Sequence, residues 1–222
     1  MSEVNLISLS KPTAYTDCHT AEQLVAYAAR VSNPGNQASH ETAPRLLRYL
    51  AKHKHWSPFE MVHITMEIKT TRDIARQILR HRSFAFQEFS QRYAVVEDNL
   101  TTREARLQDK TNRQNSIDVS NTQLDEQWRM RQCDLNLQIQ REYEWAIKNG
   151  IAKEQARAIL PEGNTMSTLY MAGSLRSWLH YCELRMGNGT QKEHMEVATK
   201  CWEIIKQHFP ALVDAIDLDN QD

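Results

Sequence analysis

Apolar and polar residues alternate most cleanly over Val62-His63-Ile64-Thr65-Met66-Glu67-Ile68-Lys69, where Val62, Ile64, Met66 and Ile68 fall on one side. That period of two predicts a strand with one buried face. Val4 to Leu9 alternates more weakly and predicts an edge strand. Elsewhere the period is helical. Thr20-Ala21-Glu22-Gln23 has the form of a capping box, and Leu24, Ala28 and Val31 follow at helical spacing. After a break at Asn33-Pro34-Gly35-Asn36, Glu41 to His53 predicts a second helix, with Pro44 in its first turn where a missing N–H is tolerated. Thr71-Arg72-Asp73 opens a third, carrying Ile74 and Ile78, with Arg80 and His81 near its end.

Leu124, Trp128, Leu135, Ile139, Tyr143 and Ala146 mark a long amphipathic helix ending at Asn149-Gly150. A shorter helix is expected from Ala152 to Leu160, stopping before Pro161, and Thr165 to Met171 fits either an extended or a helical segment. Leu175 to Met186 reads as helix up to Gly187-Asn188-Gly189, and Lys192 to His208 as the last helix. Asp98 to Ser120 is polar and poor in apolar residues, which predicts an exposed, mobile excursion. With no repeat and no linker, the expected class is α+β: one domain over 1–222, mostly helical, with a small, mainly antiparallel sheet.

Composition narrows the function classes. The chain has 222 residues, enough for one sizeable core. Its 27 basic and 28 acidic residues leave a net charge of −1, which argues against a general nucleic-acid binder, so any anion site is local. No apolar run reaches the ~20 residues of a membrane span, and Met1-Ser2-Glu3-Val4-Asn5 lacks the start of a signal peptide. Cys18, Cys133, Cys182 and Cys201 are far apart and read as reduced thiols, which points to a cytoplasmic protein. No glycine-rich phosphate loop is present.

The densest chemistry lies in Arg80-His81-Arg82-Ser83-Phe84-Ala85-Phe86-Gln87-Glu88-Phe89-Ser90-Gln91-Arg92. On a helix Gln77, Arg80 and His81 share a face. Arginine binds phosphate through a planar fork. The plainer reading is a solvated cationic helix end, where the helix dipole favours positive charge. The apolar Phe84-Ala85-Phe86 favours burial instead, and buried arginines need anions. A different class of protein also fits: a non-enzymatic nucleotide- or RNA-binding protein, with Arg80 to Arg92 on phosphate and Phe84 and Phe86 stacked on bases. His53, His55 and His81 have no carboxylate at ligand spacing, so no metal site is expected.

Arg80-His81-Arg82, seven residues, then Ser90 resembles the Arg-His-Arg-x7-Ser signature of the flavin-dependent thymidylate synthases. His53-Lys54-His55-Trp56-Ser57-Pro58-Phe59-Glu60 resembles the segment upstream of it. Ala156-Arg157-Ala158-Ile159-Leu160-Pro161 and Leu175-Arg176-Ser177-Trp178-Leu179-His180-Tyr181-Cys182-Glu183-Leu184-Arg185 are similar to its downstream blocks. The resemblance spans about residues 20 to 205.

The resemblance implies conversion of dUMP to dTMP with FAD, NADPH as reductant and methylenetetrahydrofolate as carbon donor, without a cysteine nucleophile. It places Gln77, Arg80, Glu88, Phe89, Ser90, Gln91, Arg92, Arg157 and Arg185 on dUMP, with Arg185 the catalytic group beside the pyrimidine. It places His55, Ser57, Glu60, Arg80, His81, Arg82, Glu88, Ser174, Arg176 and His180 on FAD. Many members carry asparagine where Ser174 and His180 stand. Ser90 reads as a binding group, because a serine without a neighbouring base is a poor nucleophile.

Arg176 and His180 share a helix face, whereas Arg185, nine positions past Arg176, points nearly the opposite way at about 3.6 residues per turn. A helix presenting both sets is expected to lie between two sites shared among subunits. That agrees with the homotetramer which the resemblance implies.

Overall fold

The computed structural model describes residues 2–97, 100–213, 215 and 216. Position 1, positions 98 and 99 where the expected excursion begins, position 214 and the last six positions of the domain expected over 1–222 lie outside the described residues. In chain order the elements are β1 (Glu3–Leu9), α1 (Ala21–Ala29), α2 (Ala43–Lys52), β2 (His63–Thr71), α3 (Arg72–Ile78), β3 (Ala85–Glu88), β4 (Arg106–Gln108), β5 (Ser116–Asp118), α4 (Thr122–Lys148), α5 (Lys153–Ala156), β6 (Met166–Ser174), α6 (Leu175–Met186), α7 (Lys192–His208) and α8 (Pro210–Val213). The class is α+β, as expected.

The main sheet is antiparallel, in the order β1-β2-β6-β3. The alternation in β2 is realised. Ile64, Met66 and Ile68 are buried, and each such side chain contributes about 1.5–3 kcal/mol. β6 supplies Leu169 and Met171 to the same face, and α6 and α7 cover it with Trp178, Leu179, Val197, Cys201, Trp202 and Ile205. Solvent-side residues of β1 and β2 pair by charge, as in Lys69–Glu3 at 3.4 Å. One packed and one solvated face is the ordinary condition of such a sheet.

β2 and β6 pair along nine residues, from His63 opposite Ser174 to Thr71 opposite Met166. Each runs directly into a helix. Thr71 is the N-cap of α3, and Ser174 is the N-cap of α6, accepting from the Ser177 amide. Because the strands are antiparallel, the two helices leave from opposite ends of the sheet. The segment left open at Thr165 to Met171 is thus a central strand.

Two sequence expectations need correction. The long helix exists as α4, but Leu124, Trp128 and Leu135 are exposed and its buried positions are Gln132, Asn136, Tyr143 and Ala146. The cause is backbone demand. Among the described residues the chain around 101–103 pairs with no strand, so Gln132 accepts from the Arg103 amide and donates to the Arg103 carbonyl, while Asn136 donates to the Thr101 carbonyl. The excursion also carries an unforeseen hairpin, β4 with β5.

Candidate active site

α3 ends at Ile78, with Leu79 as its cap, so Arg80 and His81 do not share a helical face with Gln77. They lie on the turn beyond, with the His81 amide donating to the Ile78 carbonyl at 3.0 Å. The chain turns there because Phe84 is anchored. Its ring meets Trp178 at a centroid distance of 4.9 Å and closes on Gly173 in β6. A Cβ at Gly173 would stand 2.5 Å from the Phe84 ring, so this approach requires glycine. Arg80 and Arg82 are left exposed, and His81 is half-buried.

His81 meets α6. Arg185 Nε donates to His81 Nε2 at 3.0 Å. That nitrogen must therefore carry a lone pair, which makes His81 the neutral Nδ1–H form. Burial, and then the Arg185 charge, push its pKa down to about 4. Beside it lies fully buried His194, pushed down to about 3 by burial and then by Arg185. His194 Nε2 is 3.1 Å from the Tyr181 hydroxyl and its Nδ1 is 3.2 Å from Gln77 Oε1. Gln77 Nε2 donates to Gln191 Oε1 at 2.8 Å.

The opposite side of α6 borders a groove of about 580 Å³. Of the residues expected to bind flavin, Glu60, Arg176 and His180 line it. Ser174 lies buried behind Glu60 and donates to its carboxylate, and Arg176 Nη1 donates to Glu60 at 2.7 Å. The Ser174 hydrogen bond and then Arg176 hold the Glu60 carboxyl below the usual range. Ser57 opens the short helical turn Ser57–Met61 that carries Glu60. His55 is exposed and follows Lys54, whose φ of 56° is left-handed. Lys52, Lys54 and Trp56 also line the groove.

A third neighbourhood gathers around Glu88. Ser167 donates to its Oε1 at 2.9 Å, while Arg72 and Arg76 pair with its two oxygens at 3.4 and 3.3 Å. Next comes the turn holding Phe89, Ser90, Gln91 and Arg92. Phe89 is exposed, Ser90 accepts from the Arg92 amide, and Arg92 pairs with Glu154 of α5 at 3.4 Å. Gln91 is buried, and its Nε2 has no hydrogen-bond partner among the described residues. An orphaned buried amide is costly. Half-buried Arg157 lies near enough for its charge to act on Arg72. Among the described residues no hydrogen bond or ion pair joins Ser90, Arg92 or Arg157 to Arg185.

Arg72, Arg76, Tyr181 and His194 were not singled out from the sequence. Spacing could have found three of them. Arg72 and Arg76 stand four apart, leading up to Arg80, and His194 precedes Val197, Ala198 and Cys201 on the buried stripe of α7.

Residues 13–211 match the family described as thymidylate synthase complementing protein. A probable flavin-dependent thymidylate synthase of Paramecium bursaria Chlorella virus 1 is 51% identical over 212 residues, which cover 96% of this chain and 97% of that one. The flavin-dependent thymidylate synthase of a Synechocystis species is 46% identical over 97% of this chain and 99% of its own. A solved UMP/dUMP methylase from Streptomyces cacaoi, bound with 5-Br dUMP, superposes with a TM-score of 0.80 at 27% identity, covering 97% of this chain and 94% of that one. With its Arg80 to Ser90 segment packed against α6, this chain belongs to the flavin-dependent thymidylate synthase family.

Proposed function

We propose that this chain methylates dUMP at C5 to give dTMP, with FAD bound in the groove, NADPH as reductant and methylenetetrahydrofolate as carbon donor. The observation that carries the reading is the Arg185–His81 contact beside Gln77. A neutral histidine takes the Nε–H of Arg185, and among the described residues neither terminal nitrogen of the guanidinium has a hydrogen-bond partner, which suits both to a ligand. The substrate is named as dUMP because relatives covering nearly the whole chain are named thymidylate synthases.

Arg185 lies against the pyrimidine and stabilises the negative charge that develops as C5 becomes nucleophilic. Gln77 and Arg80 approach the nucleotide from the end of α3. Glu88, Phe89, Ser90, Gln91, Arg92 and Arg157 hold it from the turn after β3, and the orphaned amide of Gln91 gains a partner there. Overall, C5 loses its proton and bonds the methylene carbon, and a hydride originating on NADPH completes the methyl group. Tetrahydrofolate and NADP⁺ leave, and the C5 proton with one from solvent balances the two folate nitrogens. Cys182 and Cys201 are fully buried with thiols pushed up by burial, which favours a route without a thiolate.

The donor set suits FAD. Lys52, Lys54, Arg176 and His180 offer N–H groups to a pyrophosphate along one groove, and Trp56 and Leu179 add apolar surface for a ring. The flavin supplies the hydride relay. His55, Ser57, Glu60, Arg80, His81, Arg82, Glu88, Ser174, Arg176 and His180 bind and orient it. Because Arg176 and Arg185 face opposite sides of α6, each site draws on more than one subunit. The exposed Leu124, Trp128, Leu135 and Trp145 along α4 favour burial in a homotetramer.

Tritium release from 5-tritiated dUMP tests the reaction. The expected result is release that depends on FAD, NADPH and methylenetetrahydrofolate together. A protein that binds FAD and bleaches with NADPH, yet never releases tritium, overturns the reading. Full activity of an isolated monomer would sink the shared site.

A further inference from the structure

Five side chains beside α6 form a hydrogen-bond chain whose direction is fixed at one end. Glu193 pairs with Arg106, and its other oxygen lies 3.8 Å from Arg103 Nη1. Burial raises its pKa, but the Arg106 hydrogen bond and the Arg103 charge outweigh that and leave it low. An ionised carboxylate only accepts. Gln191 must therefore present Nε2 to Glu193, as it does at 2.9 Å. Its Oε1 then faces Gln77 and can only accept, so Gln77 donates through Nε2 at 2.8 Å. The Gln77 carbonyl oxygen faces His194, whose Nδ1 at 3.2 Å must donate. His194 Nε2 is left to accept from the Tyr181 hydroxyl at 3.1 Å. Every amide orientation and the tautomer follow from one carboxylate.

We propose that Glu193 is a positioning residue for the nucleotide: through Gln191 it sets which end of the Gln77 carboxamide meets the substrate. This rests on the reading of Gln77 as a dUMP contact. Gln77 keeps one free N–H and one free lone pair, each held in a defined direction. Glu193 is in turn secured by Arg103, from the segment after Leu100, and by Arg106, the first residue of β4. Arg103 also donates to Asp73 and Thr71 at the start of α3, both at 2.7 Å. The segment therefore braces the nucleotide side chain through Glu193 and the helix that carries it through Asp73.

The chain can be reversed without changing its length. In Glu193→Gln, Arg106 takes the new carbonyl oxygen, and the amide N–H₂ turns toward Gln191. Gln191 must then flip, Gln77 must flip after it, and His194 changes tautomer. The swap Gln191→Glu with Glu193→Gln restores the original direction. Position 191 becomes the acceptor-only group, taking hydrogen bonds from Gln77 on one side and from the new amide on the other. It leaves net charge unchanged.

Dissociation constants for dUMP, measured by calorimetry on the FAD-loaded protein, decide the matter. Glu193→Gln is expected to weaken dUMP about five- to tenfold, the size of one misdirected hydrogen bond. The swap is expected to return within about twofold of the parent. A merely structural role for Glu193 predicts no rescue, because the swap still lacks the carboxylate at 193. Glu193→Gln binding like the parent, or a swap as weak as the single variant, overturns the proposal. Gln77→Ala is measured alongside. If it binds dUMP as tightly as the parent, the reading of Gln77 fails and takes this proposal with it. If it weakens binding while Glu193→Gln does not, only the proposal fails.

Discussion

The two sides of α6 hold cations in opposite ways. On the groove side Arg176 is half exposed and meets one carboxylate, Glu60. On the other side Arg185 is half-buried against His81, beside a network of neutral imidazole, amide and phenol groups. An exposed ion pair is weak and can be broken by an incoming anion. These neutral groups are fixed before any ligand arrives by the ionised Glu193 at the far end of their chain, and they strengthen the field of the Arg185 charge beside them. The groove side is thus suited to grip a charged cofactor, and the network side to aim a single guanidinium.

Arg185→Ala should give the largest effect. Removing the aimed cation is expected to lower turnover by about 10²–10³-fold, with secondary structure and flavin binding retained. Steady-state tritium release with circular dichroism checks this. Turnover within tenfold of the parent would erase the distinction between the two sides.

His194→Leu tests whether the network is a structural commitment. It strands the buried Tyr181 hydroxyl and the Gln77 carbonyl, so unfolding should be easier by about 3 kcal/mol by urea denaturation. The sign with pH follows from the depressed histidine values. The unfolded imidazole takes a proton as pH falls through about 6.5, whereas folded His194 does so only near about 3. Between these values the unfolded chain binds more protons, so the parent loses stability as pH falls, at about 1.4 kcal/mol per pH unit for this group. His81 adds a loss of the same sign above about 4. The variant should show a flatter profile between pH 6.5 and 4.5. An equally steep profile would show that His194 is not held neutral.

These long-range contacts explain what could be read from the sequence and what could not. The β2 alternation is local and was plain. β6 also alternates, with Ser167, Leu169, Met171 and Gly173 inward, but two of the four are small and the pattern stayed ambiguous. The signature residues were identified by their order, whereas their geometry was misjudged. Arg80 and His81 leave the helix because Phe84 packs on a glycine 89 positions later. On α4 the first half of the apolar stripe, Leu124, Trp128 and Leu135, marked the exposed face, since Gln132 and Asn136 are needed inward by a backbone that is distant in sequence. The Arg185–His81 contact joins residues 104 apart, so helical periodicity could fix only the direction of Arg185, not its partner.

Gly173→Ala sharpens the comparison from the side of the turn. The new methyl collides with the Phe84 ring, which packs edge-on against Trp178 and Tyr181, so the ring must shift against them. A cost of about 2 kcal/mol is expected by thermal or urea unfolding. Phe84 carries the strain to His81 three residues earlier, which holds Arg185, so turnover per bound flavin should fall, beyond any loss of flavin through His81 itself. A Gly173→Ala protein that loses flavin and keeps turnover per bound flavin would reverse the assignment of the two sides.

Arg176→Gln should have the smallest effect on the fold and a selective effect on binding. Its partner Glu60 keeps the buried hydroxyl of Ser174, so losing the cation leaves that carboxylate a hydrogen-bond donor. An ion pair this exposed is expected to change unfolding by no more than about 0.5 kcal/mol. The glutamine keeps a donor but loses the charge and the fork, so FAD affinity should weaken several-fold, and the loss should shrink in high salt as screening removes the parent's advantage. Fluorescence titration of FAD at two ionic strengths measures both. The network side makes no contact with Arg176 among the described residues, so dUMP affinity of the FAD-saturated variant should match the parent. A parallel loss of dUMP and FAD affinity would mean that α6 transmits between its faces, and that the groove grip and the aimed guanidinium are one device.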